Sequence, residues 1–82
     1  MQRELLKFQA DWCSPCKQLS SIMRDVDLGI PIKVIDIDED SAMTTKYLIR
    51  GVPTLIILED GREVKRMSGV KKLDDLKQWL EV

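Results

Sequence analysis

Residues 4–17 read ELLKFQADWCSPCK, and this stretch predicts a strand that runs directly into a helix. The strand covers residues 4–10, where apolar side chains predominate, and the helix begins beyond Cys13. Pro15 suits the first turn of a helix, because its missing N–H would have no partner there. A strand joined to a helix in this way predicts an α/β domain.

Helical and extended patterns alternate along the rest of the chain, in the overall order βαβαββα. We predict a first helix ending near residues 28–29, strands at residues 32–37, 54–58 and 63–67, and further helices at residues 41–49 and 72–81. The first two strands should be parallel, because a helix connects them, and Asp60-Gly61 should join the last two as an antiparallel hairpin. We therefore predict one domain, residues 1–82, with a four-stranded mixed sheet and three helices.

Individual residues predict how these elements begin and which way they face. Residues 32–37 are rich in β-branched side chains and form a short segment, which predicts a strand largely buried in the sheet. Asp40 or Ser41 can cap the second helix. The last helix should face the core through leucines at helical spacing, namely Leu73, Leu76 and Leu80.

Composition and charge exclude several classes of function. The 82-residue chain has a formal net charge of -1, and its Lys and Arg residues are scattered, so nucleic acid is not an expected partner. No segment is long and apolar enough to cross a membrane. The first residues lack the pattern of a signal peptide, from which we expect a cytoplasmic location. We also expect the protein to be a monomer.

Cys13 and Cys16 are the only cysteines, and they lie where the first strand passes into the first helix. The unpaired N–H groups and the positive end of the helix dipole favour a thiolate at Cys13. Cys13 can then attack a substrate disulfide as the nucleophile, and Cys16 can resolve the mixed disulfide that forms. Such a cycle needs no metal or organic cofactor beyond the redox-active Cys13-Cys16 disulfide itself.

Three other interpretations of the cysteine pair remain open at this point. A structural disulfide across two residues would restrict the unfolded chain little, and a cytoplasmic protein would keep it reduced. A zinc site needs four ligands, but the chain has no histidine and no second cysteine pair, so only a dimer could build one. Two inert buried cysteines are the third alternative. The strand-to-helix position and the flanking Trp12 and Pro15 favour the redox role.

Four segments of the chain, in order, resemble the thioredoxin family. They are Trp12-Cys13-Ser14-Pro15-Cys16-Lys17, similar to the family's W-C-G-P-C-K; Arg50-Gly51-Val52-Pro53-Thr54, similar to R-G-I-P-T; the Asp60-Gly61 turn; and Ser68-Gly69-Val70. The resemblance implies a thioredoxin-like minimal fold, which lacks the additional N-terminal strand and helix of a full-length thioredoxin.

The resemblance also implies roles for residues around the cysteines. Val52-Pro53 would be a cis peptide that faces them, with the Val52 backbone and Gly69 bordering a groove for an extended substrate. Without the resemblance, Pro53 would be an ordinary proline at the start of a strand, and Trp12 an ordinary core residue. The residues that would support the active site are Trp12, Ser14, Pro15, Lys17 and Lys7.

By the same resemblance, the chain would be a thiol-disulfide oxidoreductase that reduces disulfide-containing protein substrates. A thioredoxin reductase or another electron donor would recharge it. One alternative is a glutaredoxin-like enzyme recharged by glutathione, since the chain is short and Leu73-Asp74-Asp75 is faintly similar to glutathione-binding residues. The other is a binding or accessory module that uses the fold independently of its thiols.

The sequence departs from the family at Lys7, which replaces a buried aspartate, and at Val34, which replaces the lysine partner of that aspartate. Two hypotheses follow for Lys7. A charged Lys7, paired with Asp36 on the neighbouring strand, would make the protein more oxidising. Alternatively, Lys7 extends its stem to solvent and has little effect on the chemistry.

Overall fold

The computed structural model describes residues 2–81 and contains the seven predicted elements in the predicted order. They are β1 (Arg3–Gln9), α1 (Ser14–Arg24), β2 (Ile32–Asp36), α2 (Ser41–Lys46), β3 (Thr54–Glu59), β4 (Arg62–Ser68) and α3 (Leu73–Glu81). The strands form one four-stranded mixed sheet, as the alternating sequence patterns predict.

The sheet has the strand order β2-β1-β3-β4. β1 is parallel to β2 and antiparallel to β3, and β3 is antiparallel to β4. β1 and β3 therefore lie at the centre, and Lys7 of β1 has Val34 of β2 and Leu55 of β3 as its neighbours. Because β1 and β2 are parallel, the residues that follow them, around Cys13 and Asp38, come to the same edge of the sheet.

Helices cover both faces of the sheet, and each face has its own apolar cluster. α1 and α3 pack on one face, where the buried residues are Leu5, Leu19, Met23, Leu55, Ile57, Met67, Leu76 and Leu80. α2 covers the other face, where the buried residues are Leu6, Phe8, Ile35, Ile56 and Leu58. β1 contributes to both clusters because successive side chains of a strand point to opposite faces. This central position holds the end of β1, and hence the cysteine segment, firmly in the fold.

α1 is shorter than the sequence predicts. It ends at Arg24, whereas the apolar periodicity continues to residues 28–29. The Asp27 carboxylate accepts a hydrogen bond of 2.8 Å from the backbone N–H of Gly29, which has a φ of 71°. This local turn replaces the last part of the predicted helix. Leu28 and Ile30 pack against the core from the turn. The apolar pattern in this segment therefore indicates buried side chains, although the backbone is not helical.

α2 begins where the sequence predicts and ends earlier. The Asp40 carboxylate caps it by accepting a hydrogen bond of 3.0 Å from the backbone N–H of Met43. The helix ends at Lys46 and not at residue 49, because Leu48 has a φ of 53°, in the left-handed region. Met43 and Tyr47 still pack on the same apolar cluster.

β2 is an edge strand, so the prediction that it is largely buried is wrong. Ile35 is buried, but Ile32 and Val34 are 41% and 54% exposed. Within residues 2–81, no strand pairs with the outer side of β2. Because β-branched residues favour edge and central strands alike, composition could not distinguish the two positions.

The β3–β4 hairpin and α3 follow the predictions closely. Asp60 and Gly61 have φ values of 51° and 84°, the pair of positive values that a type I′ turn requires. In α3, Leu76 and Leu80 are buried and Leu73, at the first position, is half-buried. None of the helices described for residues 2–81 has the length and apolar character needed to span a bilayer.

Candidate active site

Cys13 and Cys16 are joined by a disulfide at the start of α1, with their Cα atoms 5.2 Å apart. Cys13 is the N-cap residue, with extended backbone angles, and Pro15 lies in the first turn of the helix. The Sγ of Cys13 accepts a hydrogen bond of 3.1 Å from the backbone N–H of Cys16. The cysteine therefore does what a serine or aspartate does at other helix N-termini.

This position determines how the pair behaves when it is reduced. A thiolate at Cys13 would keep the hydrogen bond from the Cys16 N–H and would lie at the positive end of the α1 dipole. The first turn of α1 carries no acidic residue that would oppose this effect. Cys13 and Cys16 are only 4% and 2% exposed, so little water competes for the sulfur atoms. The hydrogen bond and the helix dipole favour the thiolate of Cys13 over its thiol, whereas burial of the sulfur opposes them.

Two further loops converge on the cysteines. The Val52-Pro53 peptide bond is cis, and the carbonyl oxygen of Val52 lies 3.7 Å from the Sγ of Cys13. Gly69 donates its backbone N–H to the carbonyl of Pro53 at 3.0 Å and has a φ of 85°, which favours glycine. The structure thus brings together Cys13, Val52, Pro53 and Gly69, which the sequence places on three separate segments. Pro53 is fully buried, directly precedes β3 and follows Val52, whose carbonyl oxygen lies near the Cys13 sulfur.

Trp12 lies on the surface next to Cys13. Its residue exposure is 67%, so the interpretation of Trp12 as an ordinary core residue is wrong. The indole Nε1–H donates a hydrogen bond of 2.8 Å to the Asp38 carboxylate, which holds the ring in one orientation. Asp38 is not among the residues predicted from the sequence. The sequence does contain a signal that Asp38 and Trp12 lie close together. Asp38 follows β2 and Trp12 follows β1, and the ends of parallel strands meet at one edge of the sheet.

Ser14 and Lys17 are both exposed on the first turn and a half of α1. The backbone N–H of Lys17 donates to the carbonyl of Cys13 at 3.3 Å, which closes the first turn below the disulfide. Both side chains are therefore close to the disulfide in sequence and open to a molecule that approaches it. Among residues 2–81, no three His, Cys, Asp or Glu side chains lie close enough together to hold a metal ion.

Lys7 is buried beneath α1, and neither hypothesis describes its surroundings correctly. Its ammonium group donates a hydrogen bond to the hydroxyl of Ser20, and the residue is 6% exposed. The ion pairs found among residues 2–81 do not involve it, so the expected pair with Asp36 is not formed. The stem does not extend to solvent either. Burial away from water lowers the pKa of Lys7 from its ordinary value.

Ser20 is a second site residue that is not among those predicted from the sequence. It follows Cys16 by four residues, which is the spacing of neighbours on one face of a helix. That spacing was visible in the sequence, but it does not indicate which strand residue lies below. Only the packing of α1 across β1 brings the Ser20 hydroxyl to Lys7.

Comparisons with known proteins agree with this geometry. The family model named Thioredoxin matches residues 1–82. A thioredoxin of Chlamydia trachomatis is 37% identical over 75 residues, which cover 88% of this chain and 74% of that protein. A thioredoxin-like protein of Synechocystis is 39% identical over 82 residues, covering 95% and 78%. The solved structure of a mutant thioredoxin from Halobacterium salinarum has a TM-score of 0.85 and 36% identity, covering 98% of this chain and 73% of that one.

Proposed function

Because the chain belongs to the thioredoxin family, we propose that it reduces disulfide bonds in other proteins, with Cys13 as nucleophile and Cys16 as resolving thiol. The chain is a thiol-disulfide oxidoreductase of the thioredoxin type, as its family and its relatives show. The proposal adds the direction of the reaction and the role of each cysteine. The observation that carries it is the position of Cys13 Sγ at the start of α1, where it accepts the Cys16 N–H.

The reaction proceeds in two exchange steps. The Cys13 thiolate attacks one sulfur of the substrate disulfide, forms a mixed disulfide and releases the other substrate sulfur as a thiolate. The Cys16 thiolate then attacks the Cys13 sulfur, which releases the second substrate sulfur and forms the Cys13-Cys16 disulfide. Two electrons pass to the substrate, and its two thiolates take up protons from solvent. The reduced Cys13-Cys16 dithiol supplies the two electrons, so the proposal needs no metal or organic cofactor.

The groove beside Cys13 supports a protein substrate. Val52 offers its backbone next to the sulfur, and Gly69 borders the same loop. An extended chain can hydrogen-bond to such a backbone edge whatever its side chains are. Trp12 adds an exposed apolar surface at the rim of the groove. We therefore expect disulfide-containing segments in extended conformation to bind between Trp12 and Gly69.

Insulin reduction with a dithiol donor tests the proposal. Wild-type protein should accelerate reduction, Cys13→Ser should abolish turnover, and Cys16→Ser should accumulate a mixed disulfide through Cys13. Mass spectrometry of the Cys16→Ser protein after incubation with insulin detects that adduct. Turnover that survives Cys13→Ser would contradict the assignment of the nucleophile.

The electron donor is the remaining part of the proposal. We propose a thioredoxin reductase, because the relatives named above are thioredoxins and a thioredoxin-like protein. Parallel assays with NADPH and thioredoxin reductase, and with glutathione and its reductase, compare the two donors. Faster recharging by glutathione would replace the proposed donor with a glutaredoxin-like one. The cytoplasmic location stays a prediction.

A further inference from the structure

Lys7 is a buried lysine in the middle of β1, and its surroundings are mainly apolar. Only 6% of the residue is exposed. Its neighbours in the sheet are Val34 of β2 and Leu55 of β3, and its ammonium group donates to the Ser20 hydroxyl of α1. A hydroxyl is a neutral acceptor. The hydrogen bond therefore satisfies one N–H of Lys7 but does not neutralise its charge, and an uncompensated buried charge is costly.

The other charged groups on the elements around Lys7 are engaged elsewhere or exposed. On β2, the Asp36 carboxylate accepts the backbone N–H of Asp38 at 2.8 Å. On β3, Glu59 forms an ion pair with Arg3. The remaining charged residues of β1, β2, α1 and α3 are all exposed, namely Glu4, Lys33, Lys17, Arg24, Asp74, Asp75, Lys77 and Glu81. Water screens exposed charges strongly, so they compensate Lys7 only weakly.

The cysteine pair lies on the same side of α1 as the group that Lys7 contacts. Ser20 follows Cys16 by four residues, and side chains with this spacing are neighbours, with Cβ atoms about 5–6 Å apart. Lys7 is hydrogen-bonded to Ser20, so its ammonium group lies about one helical turn from Cys16. Cys16 and Lys7 are 2% and 6% exposed, and Ser20 between them is half-buried, so little water lies in the region that separates the two groups. Charges interact more strongly across such a region than across water.

We propose that the buried Lys7 ammonium group stabilises the thiolate form of the reduced cysteine pair and thereby raises the reduction potential of the Cys13-Cys16 disulfide. Reduction by a donor dithiol breaks the S–S bond, transfers two electrons to the two sulfurs and leaves one of them protonated and the other as a thiolate. A fixed cation nearby favours this product over the neutral disulfide. Lys7 touches no reacting atom in the structure. It is a positioning residue, which acts on the cysteine sulfurs only through its charge. The inference deepens the function proposed above and depends on it.

Replacing Lys7 by methionine tests the inference. Lys7→Met keeps an unbranched side chain of similar length and removes the charge. We expect the equilibrium constant for reduction of the protein by glutathione to fall about tenfold, which corresponds to a potential about 30 mV lower. The pKa of the Cys13 thiol, followed by the ultraviolet absorbance of the thiolate, should rise in the same variant.

Lys33→Met is the matched control. Lys33 lies on β2, is exposed and points to the opposite face of the sheet from Val34, so its replacement should leave the potential unchanged. Lys7→Gln provides a second neutral variant if Lys7→Met does not fold. The inference would be overturned if the reduction potential of either neutral Lys7 variant equalled, or lay above, the potentials of the wild type and Lys33→Met.

The same proteins separate this inference from the function on which it depends. Insulin reduction with excess dithiol reports whether the cysteine pair reduces protein disulfides, because excess donor keeps the pair reduced in every variant. The glutathione equilibrium reports the potential without any protein substrate. Failure of wild-type protein in the insulin assay counts against the proposed function, whereas equal potentials count against the role of Lys7 alone.

Discussion

At the scale of single residues, Lys7 and Trp12 reverse the usual assignment of residue types to core and surface. The lysine is buried against the hydroxyl of Ser20, and the tryptophan is 67% exposed beside Cys13. Hydrophobicity alone predicts the opposite for both residues. Trp12 adjoins Cys13, and Lys7 contacts Ser20, one helical turn beyond Cys16, so both lie in the region of the disulfide, where stability and reactivity place different demands on a side chain. Departures from local rules are expected at such sites.

Burial of Lys7 predicts how stability depends on pH. The folded protein lowers the pKa of Lys7 below its ordinary value of 10.5, so the unfolded chain binds more protons between the two pKa values. The unfolding free energy contributed by Lys7 therefore rises with pH through that window and is lowest below the folded pKa. We expect oxidised Lys7→Met to exceed the wild type in stability most at neutral pH, with the difference shrinking toward pH 10.5.

Urea unfolding of the oxidised proteins, from neutral pH upward, measures this difference. Lys33→Met serves again as the control, since Lys33 is exposed and its removal should cause no such trend. If the difference in unfolding free energy between Lys7→Met and the wild type stays constant across the pH range, burial of the Lys7 charge does not destabilise the folded protein.

At the scale of elements, the helices depend on their caps as much as on their apolar faces. Cys13 caps α1 through its sulfur, and Asp40 caps α2 through its carboxylate. α2 has only six residues, so it has few hydrogen bonds of its own. A helix this short is marginal in isolation, and its cap and its packing through Met43 and Tyr47 must maintain it.

Asp40→Ala should lower the unfolding free energy by about 1 kcal/mol, because the N–H of Met43 loses its acceptor. Urea unfolding of the oxidised protein measures the change. The matched control is Glu39→Ala, which removes an exposed carboxylate one residue earlier. Equal losses in the two variants would indicate that the cap of α2 contributes little, and that the packing of Met43 and Tyr47 determines this helix.

At the scale of the whole molecule, the two edges of the sheet differ in character. β4 carries charged residues along its length, and Arg66 forms an ion pair with Glu63 that holds the pKa of Glu63 below its ordinary value. Charged edge strands oppose pairing with another chain. β2 instead exposes Ile32 and Val34, but it is only five residues long. Short edge strands also limit such pairing.

We expect the protein to be a monomer in solution. The radius of gyration of its Cα atoms is 12.0 Å, and small-angle scattering should give a value close to that of a single compact domain. Sedimentation over a range of concentrations provides the second measurement. Val34→Lys is the informative variant, because it places a charge on the β2 edge. A concentration-dependent dimer in the wild type that Val34→Lys abolishes would contradict the monomer and would identify β2 as its interface.

The amino-acid sequence alone was enough to predict features that depend on neighbouring residues. The order of the elements follows from apolar periodicity, the hairpin follows from Asp60-Gly61, and the reactive position of Cys13 follows from its place where a strand meets a helix. Each of these signals acts over a few residues, so it is present in the sequence itself. The cis form of Val52-Pro53 was expected only from the family resemblance, since most peptide bonds that precede a proline are trans.

Tertiary structure decided what depends on pairs of residues far apart in the chain. Trp12 meets Asp38, Lys7 meets Ser20, and the sulfur of Cys13 meets the carbonyl of Val52 only because the sheet places their elements side by side. The exposed edge position of β2 likewise depends on which strands lie beside it. Local patterns measure whether a residue suits a strand, a helix or a turn, and they contain no information about its partner across the fold. The cysteine pair could therefore be predicted from the sequence, and the position of Lys7 from the family resemblance, whereas the contact of Lys7 with Ser20 could be assigned only from the packing of α1 on β1.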